Sequence, residues 1–339
     1  MSRTPLTLTR EQVLAFRRHT QGLDSRLPWT TDSLRRAAWA GLQDSMPRAA
    51  LLSLHARVAD TPSTALADPC LVQVWGPRFN VFVVAARDAA LFTLGRHPES
   101  ARGRRRAEDL AAAMAEVIGK GELPDREVGR ALGVGNAIRY ATTTGTLLIR
   151  WEGARAPTVR VVPRPAVEPS AARIELARRY LHVHGPTDPR AFARWAGVGA
   201  GEARSAFAAL EPELLPVRTP IGDRLLLACD EAALRSHRDR PDGVRLLPSG
   251  DAFFLMHGVD RELLVPDPGR RASLWTSRVW PGALLIGGQI AGTWRRAETV
   301  VDIEPWRRLT AAEKASVAAE AAALPLPALT RPITVRWAR

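Results

Sequence analysis

Several features that would quickly indicate a function are missing from this sequence. Only two of its 339 residues are cysteine, Cys70 and Cys229, which excludes a disulfide framework and a zinc site with four cysteine ligands. No apolar run approaches the roughly 20 residues that cross a bilayer; Val81–Ala86 is among the longest. The first residues, Met1–Pro5, lack the apolar segment of a secretory signal. We therefore expect a cytoplasmic chain with no membrane partner.

Familiar catalytic motifs are missing too. The sequence has no Gly-x-Ser-x-Gly, no Gly-x-x-x-x-Gly-Lys-Ser/Thr and no His-Glu-x-x-His. His182 and His184 lie two residues apart near a predicted helix end, so they face different sides of it and make a poor metal pair. The Gly133–Gly135 stretch has no βαβ context and is expected to be a turn. We expect neither a metal nor a cofactor.

Lysine is nearly absent, and here the composition becomes informative. The chain has 48 basic and 35 acidic residues, a net charge of +13, and its only lysines are Lys120 and Lys314. Part of this arginine bias is attributable to GC-rich coding. A positive charge of this size still favours a polyanionic partner, because each neutralised phosphate releases a condensed counterion. From the charge alone, a nucleic-acid partner and a different partner are about equally favoured.

An order of three helices followed by two strands, typical of a winged-helix unit, occurs three times. The clearest copy is Ser170–Cys229, with helix breaks at Gly185-Pro186 and Gly197. A second copy runs over Arg104–Val162. The first and more elaborate copy ends with two strands, Leu71–Trp75 and Phe79–Val84.

The end of the chain has a different pattern. Strands are predicted at Ala283–Ile286, Ile290–Trp294 and Thr299–Ile303, followed by a helix over Thr310–Ala323 that begins with capping-box spacing. The fold class is therefore predicted as α+β, with tandem winged-helix units and a small C-terminal α/β domain, although a plain α+β scaffold fits the same pattern. The predicted boundaries are 1–100, 101–165, 166–235 and 236–339.

One polar segment stands out between two helices of the first unit, predicted at Thr31–Gly41 and Pro47–Val58. There Gln43, Asp44 and Ser45 lie between apolar flanks, where they could present side chains to a ligand. The alternative is a helix cap, in which Ser45 or Asp44 accepts hydrogen bonds from the free amides of the second helix. The residue pattern by itself favours the cap.

The run Gly41–Leu52, GLQDSMPRAALL, resembles the signature GLQxQxPRAALL of the AlkZ-like DNA glycosylases of actinobacteria, within the broader YcaQ-like superfamily. This resemblance implies tandem winged helices forming a C-shaped basic channel. It also implies a monofunctional glycosylase that removes bulky alkylated purines, often as self-resistance to a DNA-alkylating antibiotic. Further segments that agree with the family are 180–187, 192–197, 244–248, 292–296 and 304–309.

The catalytic motif implied by the resemblance is Gln-x-Gln, or Gln-x-Asp in the YcaQ-like branch. Gln43 matches its first position, whereas the second position is Ser45 and Asp44 is one place out of register. Because alternate side chains of an extended segment share a side, Gln43 and Ser45 are predicted to act together. Asp44 is the weaker candidate, as a general base. The departure at Ser45 leaves open a specialised or weakened paralogue.

The resemblance also implies how uncharged side chains could suffice. Alkylation at N7 gives guanine a positive charge, so the base leaves as a neutral group and needs no strong acid. The implied partner is double-stranded DNA carrying alkylated guanine, bound by a monomer at the nucleoid. The arginines predicted to contact phosphates lie near the motif or at the first domain junction: Arg35, Arg36, Arg48, Arg102, Arg104 and Arg105.

A non-enzymatic function remains as the alternative. Three helix-turn-helix-like units would also suit a winged-helix regulator, or a protein that binds and sequesters lesions. The missing second glutamine favours this alternative. A regulator should give a sequence-specific footprint and usually dimer symmetry.

Overall fold

A computed structural model describes residues 6–46, 48–153, 155–236, 241, 243–327, 329 and 331–338. It shows a mixed α+β fold in which helices pack on three β-sheets. In the described part, no helix is both long and apolar enough to cross a membrane. The α-helices are α1 Arg10–Thr20, α2 Thr31–Ala37, α3 Ala49–His55, α4 Ala89–Leu94, α5 Ala101–Ile118, α6 Asp125–Ala131, α7 Pro169–His184, α8 Pro189–Ala196, α9 Ala200–Ala209, α10 Glu231–Arg235, α11 Val259–Leu264, α12 Pro268–Leu274 and α13 Ala311–Ala322.

The strands are short, and short 3₁₀ helices connect several of them. The 3₁₀ helices are Ala65–Ala67, Pro77–Phe79, Ala86–Asp88, Gly135–Thr144, Glu211–Glu213 and Ala228–Asp230. The strands are β1 Leu6–Thr7, β2 Leu42–Gln43, β3 Leu71–Trp75, β4 Val81–Ala85, β5 Glu122–Pro124, β6 Leu147–Arg150, β7 Thr158–Val161, β8 Leu214–Thr219, β9 Gly222–Leu227, β10 Val244–Leu247, β11 Gly282–Ile286, β12 Gln289–Ala297, β13 Val300–Pro305 and β14 Thr334–Trp337.

The sheet that carries the candidate motif is built from two predicted units. Its strand order is β2-β4-β3-β6-β7-β5, and all its pairings are antiparallel. The hairpin of β3 and β4, predicted from residues 71–84, joins the hairpin of β6 and β7 where Gln73 pairs with Ile149. Strands from residues 1–100 and 101–165 thus belong to one sheet. This pairing stabilises both hairpins, because a two-stranded hairpin alone is only marginally stable.

The other two sheets bring together segments far apart in the chain. The hairpin of β8 and β9 follows α7, α8 and α9 in the predicted order, and β1 joins it in parallel, with Leu6 beside Val217. The last sheet has the order β10-β11-β12-β13-β14, with β13 and β14 parallel. The helix α13 begins at the predicted capping box of Thr310 and Glu313.

Two predicted elements differ from the structure for local reasons. The strand predicted to start at Phe79 starts at Val81, because Pro77–Phe79 is a 3₁₀ turn in which Arg78 and Phe79 have φ of 56° and 59°. The helix predicted from Pro47 to Val58 is described from Ala49 to His55. Its predicted start, Pro47, lies outside the described residues.

His184, at the end of α7, is buried without a hydrogen-bond partner on either ring nitrogen among the described residues. Burial, together with the positive charges of Arg17 and Arg57, lowers the pKa of His184 to about 3. The folded protein therefore holds this ring neutral, whereas an unfolded chain protonates it near its ordinary value of about 6.5.

We expect His184→Phe to flatten the loss of stability in acid. Between pH 6.5 and 4 the unfolded wild type binds one more proton at this site, so its free energy of unfolding falls by about 1.4 kcal/mol per pH unit from this group. The variant lacks that contribution. Urea unfolding of both proteins from pH 4 to 7 measures the difference, and parallel pH profiles would contradict the assignment.

Candidate functional site

The segment that resembles the glycosylase signature forms the edge of the six-stranded sheet. Gln43 ends β2 and pairs with Phe82 of β4, and the Asp44 amide extends the pairing by donating to the Val81 carbonyl at 2.7 Å. Gly41 precedes the strand with φ of 75°, and a Cβ there would lie 2.9 Å from the Phe82 ring. A side chain at position 41 would thus push β2 away from the sheet.

The side-chain amide of Gln43 is half-buried and held on two sides. Its Oε1 accepts a hydrogen bond from Arg78 Nη2 at 3.2 Å. Its Nε2 faces Gly250, where an added Cβ would lie 2.9 Å away, and Gly250 has φ of 79°. These contacts orient the amide with its oxygen towards Arg78.

Arg78 links Gln43 to a histidine. Its Nη1 lies 2.9 Å from His257 Nε2. Burial lowers the pKa of Arg78, and burial together with Arg78 and two further arginines lowers the pKa of His257 to about 4. A neutral imidazole can accept the hydrogen bond at Nε2, so Arg78 keeps its charge and donates to both partners. Neither Arg78 nor His257 was identified from the sequence, because the contact depends on a left-handed turn and on residues 179 positions apart.

Asp44 is buried, with 2% of its surface exposed. Its Oδ1 accepts from the Ala50 amide at 3.0 Å and its Oδ2 accepts from Gln73 Nε2 at 3.0 Å. Burial raises the pKa of this carboxyl to about 6, although the two hydrogen bonds and the charge of Arg48 oppose the shift. Asp44 thus accepts from a free amide in the first turn of α3, as the cap alternative proposed, but the N-cap residue of α3 is Arg48, whose side chain makes no capping hydrogen bond.

Ser45 is exposed, unlike its neighbour, and lines a cleft of about 410 Å³. The walls of this cleft come from the start of β4, from α6, from the 3₁₀ helix Gly135–Thr144 and from the connection between β6 and β7. Its arginines were missed from the sequence, since only the shared sheet brings them together. Its lining residues include Ser45, Arg126, Arg139, Trp151 and Arg155.

The arginines predicted from the sequence lie in three different places. Arg48 is half-buried at the start of α3 and acts on the carboxyl of Asp44. Arg35 and Arg36 line a separate cleft of about 330 Å³ that also contains His182. Arg102 and Arg105 line a wider cleft of about 940 Å³, whereas Arg104 donates a hydrogen bond to the carbonyl of Glu99.

Within the described ranges, no three His, Cys, Asp or Glu side chains come together in a way that could hold a metal ion. His182 lies with Nδ1 2.9 Å from Asp230 Oδ1, while His184 is buried in the core.

Comparison with known proteins agrees with the sequence resemblance. The family model described as DNA glycosylase AlkZ-like matches residues 34–325. Among solved structures, the DNA glycosylase AlkZ of Streptomyces sahachiroi is similar with a TM-score of 0.76 and 19% sequence identity, covering 98% of this chain and 100% of that one. At that identity the likeness concerns the fold. No curated protein sequence matches this chain.

Proposed function

The chain belongs to the AlkZ-like DNA glycosylase family, and from this premise we propose that it hydrolyses the N-glycosidic bond of bulky N7-alkylguanine in double-stranded DNA. The family is one of DNA repair hydrolases, so DNA binding and base removal follow from membership. One observation supports the narrower proposal: the Gln43 amide is half-buried and is oriented by a hydrogen bond from Arg78. Two residues further along the same segment, Ser45 is exposed.

The chemistry of the lesion explains why such a site can work. A guanine alkylated at N7 carries a positive charge and departs as a neutral base, so no general acid has to protonate it. The sugar passes through an electron-poor, oxocarbenium-like state while water approaches, as in glycoside hydrolysis. What the enzyme must supply is a fixed dipole and an oriented water molecule.

We assign those two tasks to Gln43 and Ser45. A carbonyl oxygen has two lone pairs, and Arg78 occupies one position on Gln43 Oε1. The other faces the developing positive charge or the water. The Ser45 hydroxyl, which is exposed at the cleft, accepts a hydrogen bond from the attacking water. Fixing the Gln43 amide in advance through Arg78 and Gly250 means that little reorganisation is needed during the reaction.

Asp44 stays the weaker candidate for a general base. A pKa near 6 suits a base at neutral pH. Both of its oxygens, however, already accept hydrogen bonds from Ala50 and Gln73, and the side chain is buried. We therefore propose that Asp44 mainly holds the Gln43–Ser45 segment against the sheet and the start of α3.

The proposal extends to architecture and context. The helices α7, α8 and α9 with the hairpin of β8 and β9 would form one of three winged-helix units. These units would make up the first three of the four predicted domains. The four domains together would form a C-shaped channel around the duplex. A single copy would act as a monomer in the cytoplasm at the nucleoid. Its biological role would be self-resistance to a DNA-alkylating natural product.

A base-release assay tests the proposal. The protein is incubated with a duplex carrying one bulky N7-alkylguanine, and the free base and the abasic site are quantified by mass spectrometry. We expect both products in equal amounts. Their absence with both bulky and small N7 adducts would contradict the proposal.

Ser45, in place of a second glutamine or aspartate, favours a non-enzymatic alternative. A winged-helix regulator or lesion-binding protein would bind DNA without releasing a base. Footprinting on undamaged and adducted duplexes distinguishes these functions: a regulator protects one sequence, and a sequestering protein protects the adduct while the base stays attached.

A further inference from the structure

Three arginines line the cleft beside Ser45, and within the described residues none of them has an acidic partner. Arg126 comes from α6, Arg139 from the 3₁₀ helix Gly135–Thr144 and Arg155 from the connection between β6 and β7. Among the residues that the structure describes, none of the three guanidinium groups makes an ion pair or a hydrogen bond. Like charges in one cleft repel each other, so this arrangement suits an anion that neutralises them.

Arg139 is the most constrained of the three. Its side chain is half-buried, and its Cζ lies 5.7 Å from the centre of the buried Trp75 ring. Its Nε is buried and has no hydrogen-bond partner within the described residues. A buried N–H without a partner is rare in folded proteins and calls for an explanation, which a bound acceptor would supply.

A chain of hydrogen bonds fixes this cleft relative to the Gln43–Ser45 segment. Gln73 donates to Asp44 Oδ2 at 3.0 Å, and its own Oε1 accepts from the Trp151 amide at 2.6 Å. Trp151 Nε1 in turn donates to the Arg155 carbonyl at 2.9 Å. The arginine-bearing loop and the candidate catalytic segment are thereby tied together through the sheet.

We propose that Arg126, Arg139 and Arg155 form a binding site for a backbone phosphodiester of the damaged DNA strand, which places the lesion next to Gln43 and Ser45. This inference rests on the proposed function, since it names the backbone of that substrate as the ligand. Planar guanidinium groups pair with phosphate oxygens through two parallel hydrogen bonds. Three such donors around one cleft fit a phosphate better than the edge of a base, and phosphate contacts position DNA without reading its sequence.

The first test measures salt-dependent binding of the variant Arg126→Gln/Arg155→Gln, in which both changes are at exposed positions. We expect weaker binding to every duplex, by about 10-fold or more at moderate salt. The slope of log affinity against log salt should fall by about one to two, as expected when one or two phosphate contacts are lost. The control is Arg308→Gln, an exposed arginine elsewhere on the chain, which should leave the slope unchanged. A double variant with the wild-type melting temperature, affinity and slope would overturn the proposal.

The second test locates the phosphate. Single phosphates around an N7-alkylguanine are replaced one at a time by uncharged methylphosphonates. Wild-type protein should lose affinity at one or two positions close to the lesion, whereas the double variant should be insensitive at those same positions. An identical profile for both proteins would show that these arginines contact no particular phosphate.

The two tests separate this inference from the proposed function. Both measure binding, and the salt-dependence test is performed on undamaged as well as adducted duplexes. If wild-type protein releases no base but shows the arginine-dependent slope, the proposed reaction is wrong and a phosphate site stands. If base release occurs with an unchanged slope in the double variant, the reaction stands and this site is wrong. Inorganic phosphate should compete with DNA more effectively for the wild-type protein than for the double variant. Equal inhibition of DNA binding in both proteins would also count against the site.

Discussion

Replacing Gln43 with alanine is expected to lower the single-turnover rate of base release by about 10²–10³. The substitution removes a fixed dipole that faces charge only in the transition state, so binding of the intact duplex should change little. The rate constant at saturating enzyme and the dissociation constant, measured on the same adducted duplex, separate the two effects.

A matched control is available in Gln289→Ala, which makes the same chemical change at an exposed position in β12. It should leave both quantities at their wild-type values. If Gln43→Ala released base at the wild-type rate, Gln43 would have no part in the reaction. If binding and release fell together, its role would be to hold DNA.

Replacing Asp251 with alanine is expected to cost about 3–5 kcal/mol of folding free energy, because it strands a buried guanidinium. Arg57 and Asp251 are each 1% exposed, and Arg57 donates to the two carboxylate oxygens at 2.7 and 2.9 Å. Ser53 donates a further hydrogen bond at 2.7 Å. Burial by itself would raise the pKa of Asp251, but the charge and hydrogen bonds of Arg57, together with the hydrogen bonds from Ser53 and the Phe253 amide, hold this pKa below its usual value.

Urea unfolding measures this loss, with Asp302→Ala as the comparison. Asp302 also pairs with an arginine, Arg336, but the side chain of Arg336 is 72% exposed, so the loss should be much smaller than for Asp251→Ala. Equal losses for Asp251→Ala and Asp302→Ala would contradict the stabilising role assigned to the buried pair. Asp251 directly follows Gly250, where an added Cβ would lie 2.9 Å from Gln43 Nε2. The buried pair thus also anchors one wall of the candidate site.

The elements that could be predicted from the sequence are those specified by neighbouring residues. The helix α8 has Asp188 as its cap and Pro189 in its first turn, and α13 has its capping box. Both signals lie within three or four residues, so they survive without tertiary information. The hairpin of β8 and β9 likewise follows from alternation around a short turn.

What could not be predicted depends on contacts between distant segments. The joining of two hairpins through Gln73 and Ile149 leaves no local trace in the sequence. The same holds for Arg78, which reaches Gln43 and His257 only because of its left-handed turn. The motif itself could be found, but whether Asp44 or Ser45 was accessible depended on burial, which the sheet determines.

The arginines show the same limit. Runs such as Arg102–Arg105 attract notice because they are adjacent in sequence, yet the structure places Arg102 and Arg105 in a cleft that Ser45 does not line. Arg126, Arg139 and Arg155 are scattered along the chain and meet only in three dimensions. A candidate phosphate site made of single arginines from separate elements has no signature in one sequence.

The most direct test of the proposed mechanism compares two lesions of equal shape and different charge. One duplex carries an N7-alkylguanine, and the other carries the same alkyl group on 7-deazaguanine, where carbon replaces N7 and the base is uncharged. We predict similar dissociation constants for both duplexes and release of only the cationic base. Release of the uncharged base at a comparable rate would show that the protein supplies the acid chemistry itself, which would contradict a mechanism that depends on the charge of the lesion.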